Sequence, residues 1–227
     1  MSADFFLKKL TARATSLFFV LFIGGLCILT VYFQSAKKVF VSFRYYYLVQ
    51  EDASTQAGAV LIYNEGGASY FLEDGKNEWI ALALYTRAED AYGVQEALLN
   101  EKSVAVIEKG VDALYFKGKK EKALANTYVN GLKLLDGYIR IVEECIYRLD
   151  SGLSQEKARE ILGLLNRQLQ HCAEGYKKDF PALSMACRRA QNELEDICNS
   201  VIMAKDLRYL ACEMAQENIT MASEFVL

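Results

Sequence analysis

Hydrophobic and polar positions follow different periods in different parts of this chain. Residues 14–33 are twenty consecutive uncharged, mostly apolar residues. At about 1.5 Å of rise per residue, a helix of this length spans a hydrocarbon core of roughly 30 Å. We therefore predict a transmembrane helix over 14–33, preceded by a short tail at 1–13.

A cleaved signal peptide is the alternative interpretation of this stretch. Three basic residues at 8–13 supply the positive flank of such a peptide, but its apolar core is usually only about 7–15 residues long. We expect an uncleaved signal anchor in the cytoplasmic membrane. Charge does not determine its orientation, because the three basic residues before the span are matched by three at 37–44.

Short alternating patterns begin after a basic connector at 34–44. The predicted strands are rich in aromatic and β-branched residues: 45–50, 68–72, 79–85 and 103–107. Apolar residues at helical spacing predict one helix between the first two strands and another between the last two. The order βαββαβ over 45–110 is that of the ferredoxin-like split βαβ unit.

From Asp112 onward the pattern predicts helices to the end of the chain. Apolar positions of the first helix alternate in steps of four and three: Tyr128, Leu132, Leu135, Ile139, Val142, Ile146 and Leu149. Similar seams follow over 158–176 and 183–204. Three long helices with short loops predict an antiparallel bundle over 111–227. The alternative is a helical pair that exposes one seam and recruits a second copy.

The predicted fold class is therefore α+β, with an N-terminal transmembrane helix, a ferredoxin-like βαββαβ domain and an all-α helical-bundle tail. Residues 45–110 carry eleven acidic residues and four basic ones. This acidic balance argues against nucleic acid as a partner, because binding nucleic acid needs a basic surface. The basic flanks of the span suit lipid headgroups, so the lipid bilayer is an expected partner.

Cysteine and histidine usage gives no sign of a metal site. Five cysteines follow the span, without any C-x-x-C pair: Cys145, Cys172, Cys187, Cys198 and Cys212. The only histidine is His171, predicted to lie on a helix surface or at the edge of a seam. Metal ions and cofactors are not expected. Buried free thiols are predicted, and a Cys187–Cys198 disulfide or an interhelical disulfide is the alternative if the domain is extracytoplasmic.

Catalysis also finds little support, and we predict that the chain is not an enzyme. No nucleophile with a base, metal-ligand set or phosphate loop is visible, so no catalytic residues are proposed. Glu143, Glu144 and the acids at 193–196 fall outside the apolar seams, which predicts solvated helix faces. The lysines at 117–122 predict a solvated loop, with contact to lipid or an anionic polymer as the alternative.

Two segments of the βαββαβ region resemble the SPOR (sporulation-related repeat) domain, a peptidoglycan-binding module of bacterial envelope proteins. One is an aromatic first strand running into a polar helix start, YYYLVQEDASTQAGAVL. The other is the third strand leading into the second helix, EWIALALYTRAEDAYGVQEAL. The resemblance covers roughly 45–108 and, together with the preceding anchor, implies an extracytoplasmic, glycan-binding domain. It therefore also implies that the short tail at 1–13 is cytoplasmic.

The strands differ from that family at its polar positions. Tyr47 stands where family members typically carry glutamine, and Trp79 and Ala81 stand where they carry arginine. Aromatic rings remain, and such rings can stack on sugar faces. The candidate glycan-binding residues are Tyr45, Tyr47, Trp79 and Tyr85. The alternative is that about half of the aromatic side chains of these strands, by strand alternation, pack under the two helices of the βαββαβ unit.

Two functions remain open from the sequence. In the first, the protein is a membrane-anchored envelope module that contacts peptidoglycan glycan strands or the synthesis and division machinery. In the second, the βαββαβ unit is a non-binding spacer in a membrane-anchored scaffold, which acts on an envelope protein partner or on itself through its helical tail. Both place a single-pass protein in the membrane with its C-terminal domains outside the cytoplasm.

Overall fold

The computed structural model describes residues 36–50, 56–74, 77–98 and 103–226. The predicted cytoplasmic tail and transmembrane helix lie outside these ranges. Within them, no helix has the length and apolar character needed to cross a membrane. The described chain is an α+β protein, as predicted, with one antiparallel sheet and six helices.

The first part of the described chain has the predicted order of elements. It consists of β1 (Lys37–Gln50), α1 (Gln56–Asn64), β2 (Tyr70–Asp74), β3 (Asn77–Tyr85), α2 (Ala88–Leu98) and β4 (Val104–Phe116). The strands form one sheet in the order β2-β3-β1-β4, and all neighbouring strands are antiparallel.

Strands β1 and β4 are both longer than predicted. They pair from Gln50 with Val104 to Lys37 with Phe116, so the connector at 34–44 is largely strand and residues 112–116 are not helical. The charges at 37–44 obscured an alternating pattern that buries Val41 and Phe43. The predicted domain boundary between residues 110 and 111 falls inside β4.

The second part contains four helices. They are α3 (Lys119–Asp150), α4 (Gln155–Tyr176), α5 (Pro181–Cys198) and α6 (Ala204–Ser223). The turn before α4 follows the predicted signals, because Gly152 has a φ of +94° and the Ser154 side chain accepts a hydrogen bond from the Lys157 amide.

The predicted seam of α3 is confirmed, since Leu149 is half-buried and the other six seam residues are buried. The prediction of three helices is wrong, because the chain leaves the helix after Cys198 and begins α6 at Ala204. Side chains of α4 hold this break in place. Arg159 donates to the carbonyls of Cys198 and Ser200, and Gln155 bonds both the amide and the carbonyl of Ile202.

The helices do not form a separate bundle, because α3 and α6 lie directly on the sheet. The buried residues of these helices and those of β1 and β4 belong to one continuous hydrophobic core. On the opposite face, Ala59 and Ile62 of α1 pack against Ile80 of β3 in a separate small cluster. The sheet is therefore covered by helices on both faces.

Two acidic residues predicted to be solvated are half-buried, and for them that prediction is wrong. Glu143 of α3 and Glu193 of α5 are partly covered, whereas Glu144, Glu195 and Asp196 are exposed as predicted. The reason for the miss is that the sequence pattern shows the apolar seam but not the second neighbour that each helix meets. His171 is exposed, in agreement with its predicted surface position.

Glu193 predicts a specific pH dependence of stability. The pKa of Glu193 is raised to about 8. Burial contributes most to this rise, followed by the hydrogen bond and charge of Glu213 and then by the charges of Glu217 and Asp196. Arg189, the basic residue on this side, pairs with Glu217. A carboxyl with a raised folded-state pKa stabilises the fold fully below its ordinary pKa of 4.5, and this contribution is lost as the pH rises toward 8.

We therefore expect the melting temperature to fall between pH 4.5 and about 8, and to fall less in Glu193→Gln. Thermal melts across this range measure the effect. The matched control is Glu195→Gln, whose side chain is exposed on the same helix and should keep the wild-type slope. Equal slopes in wild type and Glu193→Gln would contradict the raised pKa.

Candidate functional site

A cleft of about 810 Å³ opens where β3 ends and α2 begins. One wall is the end of β3 and the first turns of α2, and the other is the C-terminal half of α3, with Arg208 of α6 at one side. The sheet fixes the first wall and the buried seam of α3 fixes the second. Both walls of the cleft are therefore formed by regular elements of the fold.

A polar contact joins the two walls of this cleft. The Glu143 carboxylate accepts hydrogen bonds from the Thr86 amide at 3.1 Å and from the Thr86 hydroxyl at 2.5 Å. Arg140, one turn earlier on α3, donates to the same hydroxyl at 3.4 Å. Burial raises the pKa of Glu143, while the bonds from Thr86 lower it. These contacts join the end of β3 to α3.

Arg208 connects a second side of the cleft to the rest of the fold. It forms an ion pair with Asp150 at the end of α3 and donates to the Gly66 carbonyl at 2.8 Å. Tyr85 and Tyr147 line the cleft between these polar groups. Tyr147 is 70% exposed, so its ring is accessible to a ligand.

The chemistry of the cleft is suited to binding. Its lining combines two tyrosine rings with arginine and carboxylate side chains, which can contact a polar ligand by stacking and by hydrogen bonds. The Glu143 carboxylate is already engaged by Thr86. Within the described ranges, no group of three or more histidine, cysteine, aspartate or glutamate side chains could hold a metal ion.

Two of the four candidate glycan-binding residues lie in the core. Tyr45 and Tyr47 are both 0% exposed, beneath the helices that cover the sheet. The Tyr45 hydroxyl donates to Asp136 of α3 at 2.9 Å and accepts a hydrogen bond from the Asn218 side chain of α6 at 2.6 Å. Tyr45 therefore ties the central strand to both covering helices.

The other two candidate residues, Trp79 and Tyr85, are half-buried and have different surroundings. Trp79 packs on the edge of the main core, and its indole nitrogen is buried without a hydrogen-bond partner. Tyr85 lines the cleft, and burial raises the pKa of its hydroxyl. Of the four candidates, Tyr85 alone lines this cleft.

Sequence analysis missed most of the cleft. Arg140, Glu143 and Tyr147 lie three and four residues apart on α3, so they share one helix face beside the apolar seam. That polar and aromatic stripe is a signal that the sequence contained. Thr86 and Arg208 gave no such signal, because only the tertiary fold brings them to α3.

Comparisons of the chain with protein-family models, with curated proteins and with solved structures found no match. The SPOR resemblance therefore stays a prediction that rests on the two segments quoted above.

Proposed function

We propose that this chain is a membrane-anchored, non-enzymatic scaffold protein of the cell envelope, which holds partners beside the cytoplasmic membrane through surfaces of its helices. One observation carries the choice of a scaffold over a sheet-based glycan binder. The sheet face that carries Tyr45 and Tyr47 is filled by α3 and α6. A sugar cannot stack on these rings while the helices are in place.

The position of the lysines supports placement beside a membrane. The β1–β4 ribbon ends at Lys37, shortly after the apolar stretch 14–33, and the chain begins α3 next to it. Lysines surround this end: Lys37, Lys38, Lys117, Lys119, Lys120 and Lys122. A cluster of basic side chains next to a span is attracted to anionic headgroups.

The strand order supports the finer description of the fold. An antiparallel sheet in the order β2-β3-β1-β4, with helices in both crossovers, fits a ferredoxin-like unit. We propose that residues 37–116 are such a unit, derived from or similar to a SPOR domain, whose sheet has been covered by the helices that follow it. Its extracytoplasmic position is part of the same proposal.

A second candidate function is suggested by the cleft. Tyr85, a residue that the sequence analysis selected for glycan binding, lies there with the exposed ring of Tyr147 and the side chain of Arg140. Such a set could hold an amino sugar of a peptidoglycan strand by stacking and hydrogen bonding. In this second candidate function, the glycan-binding site lies in the cleft and not on the sheet face.

Co-sedimentation of the detergent-purified full chain with intact peptidoglycan sacculi separates the two functions. The scaffold proposal predicts that the chain stays in the supernatant. Sedimentation that persists in high salt and is lost in Tyr147→Ala would overturn it in favour of the cleft. Because Tyr147 is mostly exposed, this variant should fold normally. Tyr92→Ala, at a half-exposed tyrosine outside the cleft lining, is the matched control.

A further inference from the structure

Two buried cysteines meet between helices α4 and α5. The sulfur atoms of Cys172 and Cys187 are 3.0 Å apart, and the Cys187 thiol points at Cys172 as a donor. Cys187 is fully buried and Cys172 is 6% exposed. The described cysteines are all free thiols.

The two cysteines face each other because of their place in the hairpin. Helices α4 and α5 are joined by the short turn at 177–180. Cys172 lies five residues before this turn and Cys187 lies seven residues after it. Nearer to the turn, the Ser184 hydroxyl of α5 donates to the Ala173 carbonyl of α4 at 2.6 Å. The helices are thus in register and in close contact at this level.

Neighbouring side chains enclose the pair. Tyr138 of α3 is almost fully buried, and the charges of both cysteines contribute, after burial, to raising the pKa of its hydroxyl. Tyr176 is affected by both cysteines in the same way. In the folded chain the hydrogen bond from Cys187 lowers the pKa of Cys172.

We propose that Cys172 and Cys187 form a disulfide that links α4 to α5. The oxidant is a disulfide, carried by a small molecule or by a thiol–disulfide oxidoreductase. The Cys172 thiolate attacks one sulfur of that reagent and releases its first thiolate. Cys187 then loses its proton and attacks the Cys172 sulfur, which releases the second thiolate. Two cysteine thiols are oxidised to one disulfide, and the reagent disulfide is reduced to two thiols that take up the protons.

In the cell the link rests on the proposed extracytoplasmic placement, because disulfides persist in oxidising compartments. Burial prevents a reagent from reaching the folded pair, so the exchange takes place before the hairpin closes onto α3. Once formed, the bond is shielded from reductants by the same packing. The closed loop spans 15 residues, and a loop of that length raises the melting midpoint of a protein of this size by roughly 6–12 °C.

The test uses the purified full chain, reduced, partly unfolded in urea and returned to buffer with a mixture of oxidised and reduced glutathione. Thiols are then alkylated under denaturing conditions and the chain is analysed by mass spectrometry. We expect two fewer alkylated cysteines than in the reduced control, and a peptide that links Cys172 to Cys187. The oxidised chain should melt at the higher temperature. Cys187→Ala should lose both effects, and Cys198→Ala should keep them.

Full alkylation of the wild-type chain after this treatment would overturn the proposal, as would a link that joins Cys145 to Cys198 instead. Peptide mapping of the wild type decides this even if Cys187→Ala folds poorly. Alkylation trapping in intact cells tests the extracytoplasmic placement separately from the ability of the two cysteines to form a disulfide. A chain that oxidises after purification but stays reduced in cells would overturn the extracytoplasmic placement, and the geometric inference would stand.

Discussion

Replacing Leu135 by aspartate will strongly destabilise the described part of the chain. Leu135 is 0% exposed in the seam of α3 and belongs to the core shared by the helices and the sheet. A carboxylate at this position has no partner and loses its hydration. We expect a loss of about 4 kcal/mol or more in the free energy of unfolding, measured by urea titration where some folded protein remains.

The neighbouring residue provides a matched control for this variant. Leu134 is 45% exposed on the same helix, so Leu134→Asp makes the same chemical change at a position that faces water. We expect its effect to stay within about 0.5 kcal/mol. If Leu135→Asp and Leu134→Asp were equally stable, the seam of α3 would not be the buried face.

Truncating Tyr45 will strongly destabilise the fold, because its ring is enclosed between β1 and the covering helices. Removal of a buried aromatic side chain costs about 3–5 kcal/mol, which is the loss expected for Tyr45→Ala. Tyr45→Phe keeps the ring but leaves Asp136 and Asn218 without their shared hydroxyl. It should cost about 1–3 kcal/mol. Chemical denaturation measures both values.

Tyr147→Ala is the control for the Tyr45 variants, because its ring is mostly exposed and its loss should change stability little. If Tyr45 instead presented its ring to a sugar on an open sheet, Tyr45→Ala would be as stable as Tyr147→Ala. That result would contradict the covered sheet and restore the sheet-based glycan site.

Individual helices and turns could be predicted because each depends on a pattern of residues that are close together in the sequence. The seam from Tyr128 to Ile146 and the turn at Gly152 follow from spacing and from backbone preference alone. The extension of β1 could not be predicted as readily, since the lysines at 37–38 resemble a connector until β4 supplies a pairing partner. The fourth helix was missed because side chains of α4 hold the break after Cys198.

Long-range packing explains why the candidate site was only partly predicted. Strand alternation turns Tyr45 and Tyr47 inward, and both are buried. They lie beneath α3 and α6, however, and not beneath the two helices of the βαββαβ unit as that alternative had it. The sequence could not show that α3 and α6, and not α1, cover that face. The cleft at Thr86 depends on the same packing, since its Glu143 and Arg140 come from α3.

The central claim is that sheet and helices share one core and fold as one unit, and Trp79 makes this directly testable. It is the only tryptophan of the chain, and it lies in β3 against the main core. Its fluorescence therefore reports the sheet, while far-ultraviolet circular dichroism is dominated by the helices. We predict that urea unfolding of the full chain gives the same midpoint with both probes, and that Leu135→Asp shifts both together. Separate midpoints, or native Trp79 fluorescence in Leu135→Asp after its helices have unfolded, would contradict the claim.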